Sequence, residues 1–256
     1  MGYRQLLTGY ASPVEAANQP DRAERALLPL FPLGTVLFPG LVLPLHVFEP
    51  RYRTLVHDLS ALPADVAREF GVVAIRRGWE VGAPDSDASV TAGESLTLYE
   101  IGCTAEVRQI TQLEGGRFDL VTVGRRRFRL LGVEPTTTPY LTGQVEWLPE
   151  EPGDAERAEE LAAAVLAAFQ RYLKVIRRDE ADSGEQLPGD PTVLSHLVAA
   201  TASLTLEDRQ RLLAEPDTVS RLRAERALLR REAALLRKVR AVPATLPDLG
   251  MTASPN

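Results

Sequence analysis

A chain of 256 residues, 45% apolar and 25% charged, is long enough for one large domain or two small ones with a real core. A net charge of −6 argues against a nucleic-acid binder, and a single cysteine, Cys103, excludes an internal disulfide. The N-terminus MGYRQLLTGYASPVE lacks a basic stretch followed by a long apolar core, and no run reaches the roughly 18 apolar residues of a membrane span. The expectation is a soluble, cytoplasmic protein.

Met1 to Arg25 mixes Gly, Pro, Asn and charge without periodicity and reads as a flexible extension, residues 1–25. The stretch from Leu27 to Leu59 then organises the chain. Pro29, Pro32, Pro39, Pro44 and Pro50 interrupt an otherwise apolar run. Proline lacks an N–H and disfavours the helical region for its predecessor, so Leu27 to Phe48 cannot be one helix. It reads as short strands joined by turns. Phe38-Pro39-Gly40 is the expected turn, with glycine free to take a positive φ. Val36 to Phe38 and Leu41 to Val47 are the expected strands, apolar enough for both faces to meet protein. At Glu49-Pro50 the period changes, and Tyr52, Leu55, Val56 and Leu59 recur at helical spacing.

The segment LPLFPLGTVLFPGLVLPLHVFEPRYR resembles the opening of the Lon protease N-terminal domain family, the substrate-binding domain, and most of all its standalone bacterial versions. The likeness is dense over Leu28 to Arg53 and holds in outline to about residue 240. It implies a PUA-like pseudo-barrel, followed by helices, that recognises unfolded or tagged protein and assists assembly of the protease.

The rest of the first half agrees with a barrel. Gly71 to Arg76 reads as a buried strand and Gly78 to Glu94 as a loop. CTAEVRQITQL alternates, Glu114-Gly115-Gly116-Arg117 signals a hairpin, and FDLVTVGRRRFRLLGV returns. Gly124 predicts a bulge, because the apolar positions change parity from Val121 and Val123 to Phe128 and Leu130. Tyr140 to Leu148 supplies a last strand. Pro149 to Gly153 marks a boundary. Asp154 then caps a helix carrying Leu161, Val165, Ala168, Phe169, Tyr172 and Ile176, and Arg178 to Gly189 is a polar loop. Asp190-Pro191 starts a second helix. Thr205 to Asp208 forms a capping box for a third, ending at Ala214. Pro216-Asp217 opens a fourth, to about Arg240, with leucine rows 222/229/236 and 228/235. The expected organisation is α+β: a PUA-like β pseudo-barrel over 26–149, a four-helix bundle over 150–242, and a disordered tail over 243–256.

Chemistry is sparse. Neither lysine, Lys174 or Lys238, follows a glycine, so no phosphate-cradling loop is present. Neither has the strand-to-helix setting beside a serine that the family's Ser–Lys peptidase pair would need. His46, His57 and His196 are scattered, and one cysteine cannot anchor zinc. His46 reads as a satisfied, partly buried histidine and Cys103 as a small buried hydrophobe. The run Arg125-Arg126-Arg127-Phe128-Arg129 could contact RNA. Residues 26–150 nevertheless hold 15 acidic and 11 basic side chains, a net of −4, so a solvated strand face is the plainer reading. Arg125 or Arg127 could instead pair with Glu106 or Asp119. The last helix carries eight basic and three acidic residues between Pro216 and Arg240. It reads as bundle surface, with a docking face for an acidic partner or a self-associating coil as the sharper alternative.

The expected function is non-enzymatic binding of exposed apolar protein segments, as an adaptor or chaperone-like factor acting with a protease or chaperone. RNA binding through the barrel is the alternative. No cofactor, metal or membrane partner is expected. An apolar groove near the barrel–bundle junction would carry the binding, with Leu33, Phe38, Leu41, Phe48 and Tyr52 as candidate lining residues. For Phe48 and Tyr52 a plain core role is the stronger expectation.

Overall fold

The computed structural model describes residues 24–77, 97–135, 137–176 and 187–241. The extension expected over 1–25 (apart from its last two residues), the loop Gly78–Glu94, most of the polar loop Arg178–Gly189 and the tail from Pro243 lie outside them.

Seven strands and one helix make the first part: β1 (Arg25–Leu33), β2 (Val42–Val47), α1 (Pro50–Ser60), β3 (Glu69–Arg77), β4 (Thr97–Leu98), β5 (Ile101–Gln112), β6 (Phe118–Glu134) and β7 (Thr142–Trp147). The order β1-β7-β6-β5-β3 closes on itself through a parallel β1–β3 pair, giving a five-stranded barrel; β4 is added to β3, and β2 to β6. Closure removes sheet edges everywhere except at these two additions.

The proline-rich run folds differently from its expected pieces. β1 passes through both Pro29 and Pro32 as one strand. It pairs with β7 as far as Pro29 and with β3 from Leu30 onward, so the prolines stand around a change of partner. Val36 to Phe38 belong to no strand; they cross from the barrel wall toward the helices. The Pro39-Gly40 turn is present, with Gly40 at φ 78°. It does not join two strands paired with each other. It lies against the bulge of β6, where Gly40 N–H donates to the Gly124 carbonyl at 2.8 Å and Gly124 N–H donates to Leu41 O at 2.8 Å. A Cβ on Gly124 would collide with the Phe38 carbonyl, so this glycine serves close approach as well as the bulge. The bulge itself is seen where Ala105 faces Gly124 but Cys103 faces Arg127. Phe118 and Leu120 share a cluster with Cys103 and Ala105, whereas Phe128 and Leu130 beyond the bulge turn to another, so the face changes as expected; the residues that mark it before Gly124 are Phe118 and Leu120 rather than Val121, which is 37% exposed.

The hairpin between β5 and β6 turns on Gly115 and Gly116, both at positive φ. Helix α1 packs in one cluster with Phe31, Phe70, Val72 and Phe118 of the strands. Its buried residues are Tyr52, Leu55, Val56 and Leu59, and Tyr52 stacks on Phe31 with ring centroids 3.9 Å apart.

The second part has four helices: α2 (Ala155–Ile176), α3 (Pro191–Thr201), α4 (Leu206–Ala214) and α5 (Thr218–Ala241). Each starts on an expected cap. Asp154 accepts from Arg157 N–H at 2.8 Å, Asp190 from Val193 at 2.8 Å, Thr205 from Asp208 at 3.1 Å and Asp217 from Ser220 at 2.7 Å. Leu161, Val165, Phe169 and Tyr172 of α2 meet Leu194 and Val198 of α3 and Leu222 and Leu229 of α5 in one core. The second leucine row is not wholly covered: Leu228 packs inward, but Leu235 is 49% exposed. A further cluster crosses between the parts, joining Val36, Phe38, Ala74 and Ile101 to Ala199, Leu212 and Leu213.

Candidate functional site

The junction, where an apolar groove was expected, is filled. Phe38 is fully buried there, with its ring centroid 6.1 Å from that of His196. Leu33 and Tyr52 lie in the barrel core, and Leu41 is half-buried between the barrel and junction clusters. Phe48 departs from its expected core role and is 47% exposed. The five candidate residues therefore do not gather around one open groove.

A polar network lies alongside the apolar cluster, and sequence reasoning missed it. Arg127 reaches from β6 and Arg221 from α5, both essentially inaccessible to solvent. Arg127 Nε donates to Glu150 at 2.8 Å, and its Nη1 donates to the carbonyls of Leu213 (2.9 Å) and Glu215 (2.6 Å). Arg221 donates to Leu212 O at 3.1 Å, Ser195 Oγ at 3.2 Å and Glu150 at 2.9 Å. The last carbonyls of a helix have no partners within it and carry partial negative charge. Two arginines, one from each part of the molecule, satisfy that end of α4 and share one carboxylate.

Burial by itself would raise the Glu150 carboxyl, but His196, Arg221 and Arg127 around it hold it at about 2. His196 Nε2 lies 3.4 Å from Glu150 without hydrogen-bond alignment. Burial pushes its pKa below the usual histidine value, and the two arginines push the same way against the pull of Glu150. Glu225, one turn beyond Arg221, is buried with neither oxygen hydrogen-bonded, and burial raises its pKa well above normal. Cys103 is buried and burial raises its thiol, which leaves it a hydrophobe rather than a nucleophile. The two arginines and Glu150 are spent on one another and on the end of α4.

Two other arginines of the run have local partners. Arg125 pairs with Glu106 at 3.0 Å, as one expectation had it. Arg126 lies 3.8 Å over the Trp147 ring. Arg127, expected on a solvated face or paired on the sheet, is instead the buried link to α4. His46 is more exposed than expected and sits 2.6 Å from Asp119. Among the described residues, no group of three His, Cys, Asp or Glu side chains could hold a metal ion.

An exposed apolar row lies on the other side of Gly40, on β2. This strand pairs only with β6 among the described strands, so its far edge is open. The Gly124–Leu41 bond sets the ladder's phase. Antiparallel bonding alternates, so Leu43 and Leu45 face β6 with their N–H and C=O groups, while those of Val42, Pro44 and His46 face outward. Pro44 thus forfeits no ladder bond, which is why β2 tolerates it. The outer face is apolar too. Val42 is 61% exposed and pairs with Val123; Pro44 is exposed beside Val121; Phe48 follows, its ring stacked near His46. The expectation that both faces of this strand meet protein fails here.

Comparison with known proteins gives this geometry a context. Residues 27–231 match the model of the ATP-dependent protease La (LON) substrate-binding domain. Lon protease 1 of Thermus thermophilus is 33% identical over 214 residues, covering 81% of this chain and 25% of that protein. Lon protease of Escherichia coli is 24% identical over 220 residues. The chain thus spans about a quarter of the length of the curated relatives it matches. The N-terminal domain of a Mycobacterium avium complex Lon protease superposes with a TM-score of 0.55 at 19% identity, covering 81% of this chain and 98% of that one. A Lon N-terminal domain protein from Xanthomonas campestris gives 0.50 at 22% identity, covering 77% of this chain and 95% of that one. Among the described residues no helix is long and apolar enough to cross a membrane. The chain belongs to the Lon substrate-binding domain family.

Proposed function

We propose that the protein is a non-enzymatic binding module for extended, apolar segments of unfolded protein, and that the open edge and outer face of β2 receive them. The observation that carries this reading is the exposed row Val42, Pro44 and Phe48, with Val121 beside it, along an unpaired strand edge. A strand edge offers outward N–H and C=O groups to any extended chain, and an apolar face beside it rewards alternate apolar side chains. Neither requirement is specific to one sequence, which suits a receptor for unfolded chains. Of the five lining residues expected from sequence, this site keeps Phe48 and places Leu41 at its base. The absence of a catalytic role rests on the sequence, which has no Gly-Lys dipeptide and no Ser–Lys setting. An adaptor or chaperone-like role would follow from binding without chemistry.

The test is binding of a permanently unfolded protein, reduced and carboxymethylated α-lactalbumin, followed by fluorescence anisotropy. Val42→Ser and Phe48→Ser together are expected to weaken binding about tenfold or more, the scale of losing two apolar contacts. Their melting temperature is expected to stay at the wild-type value, since both side chains are exposed. Unchanged affinity in the double variant would overturn the assignment.

A further inference from the structure

A second surface, remote from β2, has a different character. Helices α2 and α5 leave the junction side by side, with Glu151 bridged to Asp217 in parallel just before them. Farther along, the two helices line a cleft of about 330 Å³. Its floor is Ala168, Leu229, Ala233 and Ala234, and its rims carry Arg171 and Arg230. Lys174 lies one turn beyond Arg171, and Arg226 one turn before Arg230, which extends each rim along its helix. Arg171 Nε donates to the Ala167 carbonyl at 3.0 Å, leaving its charge facing out. Among the described residues no carboxylate lies within ion-pair distance of Arg171, Lys174, Arg226 or Arg230. Nearby Glu232 and Asp208 are both already bound by Arg231. The chain as a whole is acid-rich at −6, so a cleft whose unpaired charges are all positive is set apart from the rest.

We propose that this cleft docks an acidic amphipathic helix of a partner protein. A floor of alanines lets a third helix approach two others at the ~8 Å end of normal interaxial spacings. Large apolar side chains on the incoming helix fill the cleft, and Asp or Glu flanking them meets the arginine rims. A nucleic acid would use the rims but leave this floor unfilled. A second copy of this chain would have to bring its own positive helices against them. The site goes beyond the β2 reading and does not depend on it.

The probes are a synthetic helix-forming peptide with a leucine stripe flanked by glutamates, its lysine-flanked counterpart, and a single-stranded RNA oligonucleotide. Each is titrated into the full chain and read by fluorescence anisotropy at low and high salt. The glutamate peptide is expected to bind and to weaken with salt. Arg171→Glu with Arg230→Glu is expected to lower its affinity about tenfold or more, Arg171→Lys with Arg230→Lys to retain most of it, and Ala234→Glu to abolish it. Phe48→Ser is expected to leave it unchanged. All four positions are exposed, and circular dichroism checks that each variant folds. Equal binding of the lysine peptide, displacement by RNA, or no binding at all would overturn the proposal. So would a peptide-free dimer in sedimentation velocity that Ala234→Glu dissolves.

Discussion

Phe38 and Val42 are four residues apart, yet Phe38 is fully buried and Val42 is 61% exposed. Both come from the same apolar run. The difference lies in what the chain brings to each. Phe38 meets Ala199 and Leu212 from the bundle, and beside it two arginines, a carboxylate and the end of α4 satisfy one another. Nothing among the described elements pairs with the far edge of β2, and its outward backbone groups are left for solvent or a partner. Apolarity alone therefore does not mark a binding surface. The proposed receptor surface adds an unsatisfied backbone edge to an apolar face.

The sealed side can be broken from within the bundle. Leu229→Asp puts an unpaired carboxylate where Leu229 is 2% exposed. A loss of about 4 kcal/mol or more is expected, by denaturant titration. Because one apolar cluster spans both parts, we expect the barrel to loosen as well. If hydrogen exchange shows the Val123 and Phe70 amides fully protected while residues 218–230 exchange freely, the two parts are independent.

Removing one arginine tests the polar half of the seal. Arg127→Met leaves Glu150 with one strong partner fewer and exposes the carbonyls of Leu213 and Glu215 to no donor. A loss of about 3 kcal/mol is expected, because breaking one member of a buried ion network leaves the others uncompensated. A melting temperature within a degree of wild type would mean that water replaces the guanidinium at no cost.

The turn that separates the two regions is a smaller lever. A Cβ at Gly40 meets no neighbouring atom, so the expected penalty of Gly40→Val is mainly backbone strain at φ 78°, about 1 to 2 kcal/mol. Gly40→Ala is expected to show most of the same loss; a loss confined to valine would indicate a steric cause.

The same comparison predicts a pH signature. Glu150 is held down at about 2, so the stability it confers is complete above its unfolded value near 4.5 and fades as pH falls toward 2. His196 is also depressed, so stability begins to fall as pH drops below 6.5. Glu225 is raised and works the other way: it penalises the fold as pH rises above 4.5. Melting curves across pH are expected to show Glu150→Gln flattening the acid limb and Glu225→Gln gaining on wild type as pH rises. A Glu225→Gln variant that tracks wild type at every pH would show that this carboxyl finds a partner.

Much of the fold was legible in the sequence because periodicity and caps are local signals. The spacing of Tyr52, Leu55, Val56 and Leu59 defined α1, and Asp154, Asp190, Thr205 and Asp217 marked four helix starts. Closure of the barrel was not local. The switch of β1 from β7 to β3 depends on strands over a hundred residues apart, and the prolines gave no hint of it. The site was legible only in its composition. An apolar strand reads the same whether its outer face is covered or bare, so a core role was expected for Phe48, which is exposed, and a groove lining for Phe38, which is buried. Arg127 sat in a run of four arginines, and nothing in that run distinguishes the one whose side chain enters the junction.

Hydrogen exchange of the full chain, with and without saturating unfolded α-lactalbumin, tests the central claim most directly. The outward N–H groups of Val42 and His46 are expected to gain protection, along with the backbone around Phe48. The amides of Leu212 to Leu222 are expected to be unaltered. Protection appearing at Leu212 to Leu222 instead, or deprotection there on binding, would place the receptor at the junction and contradict the account.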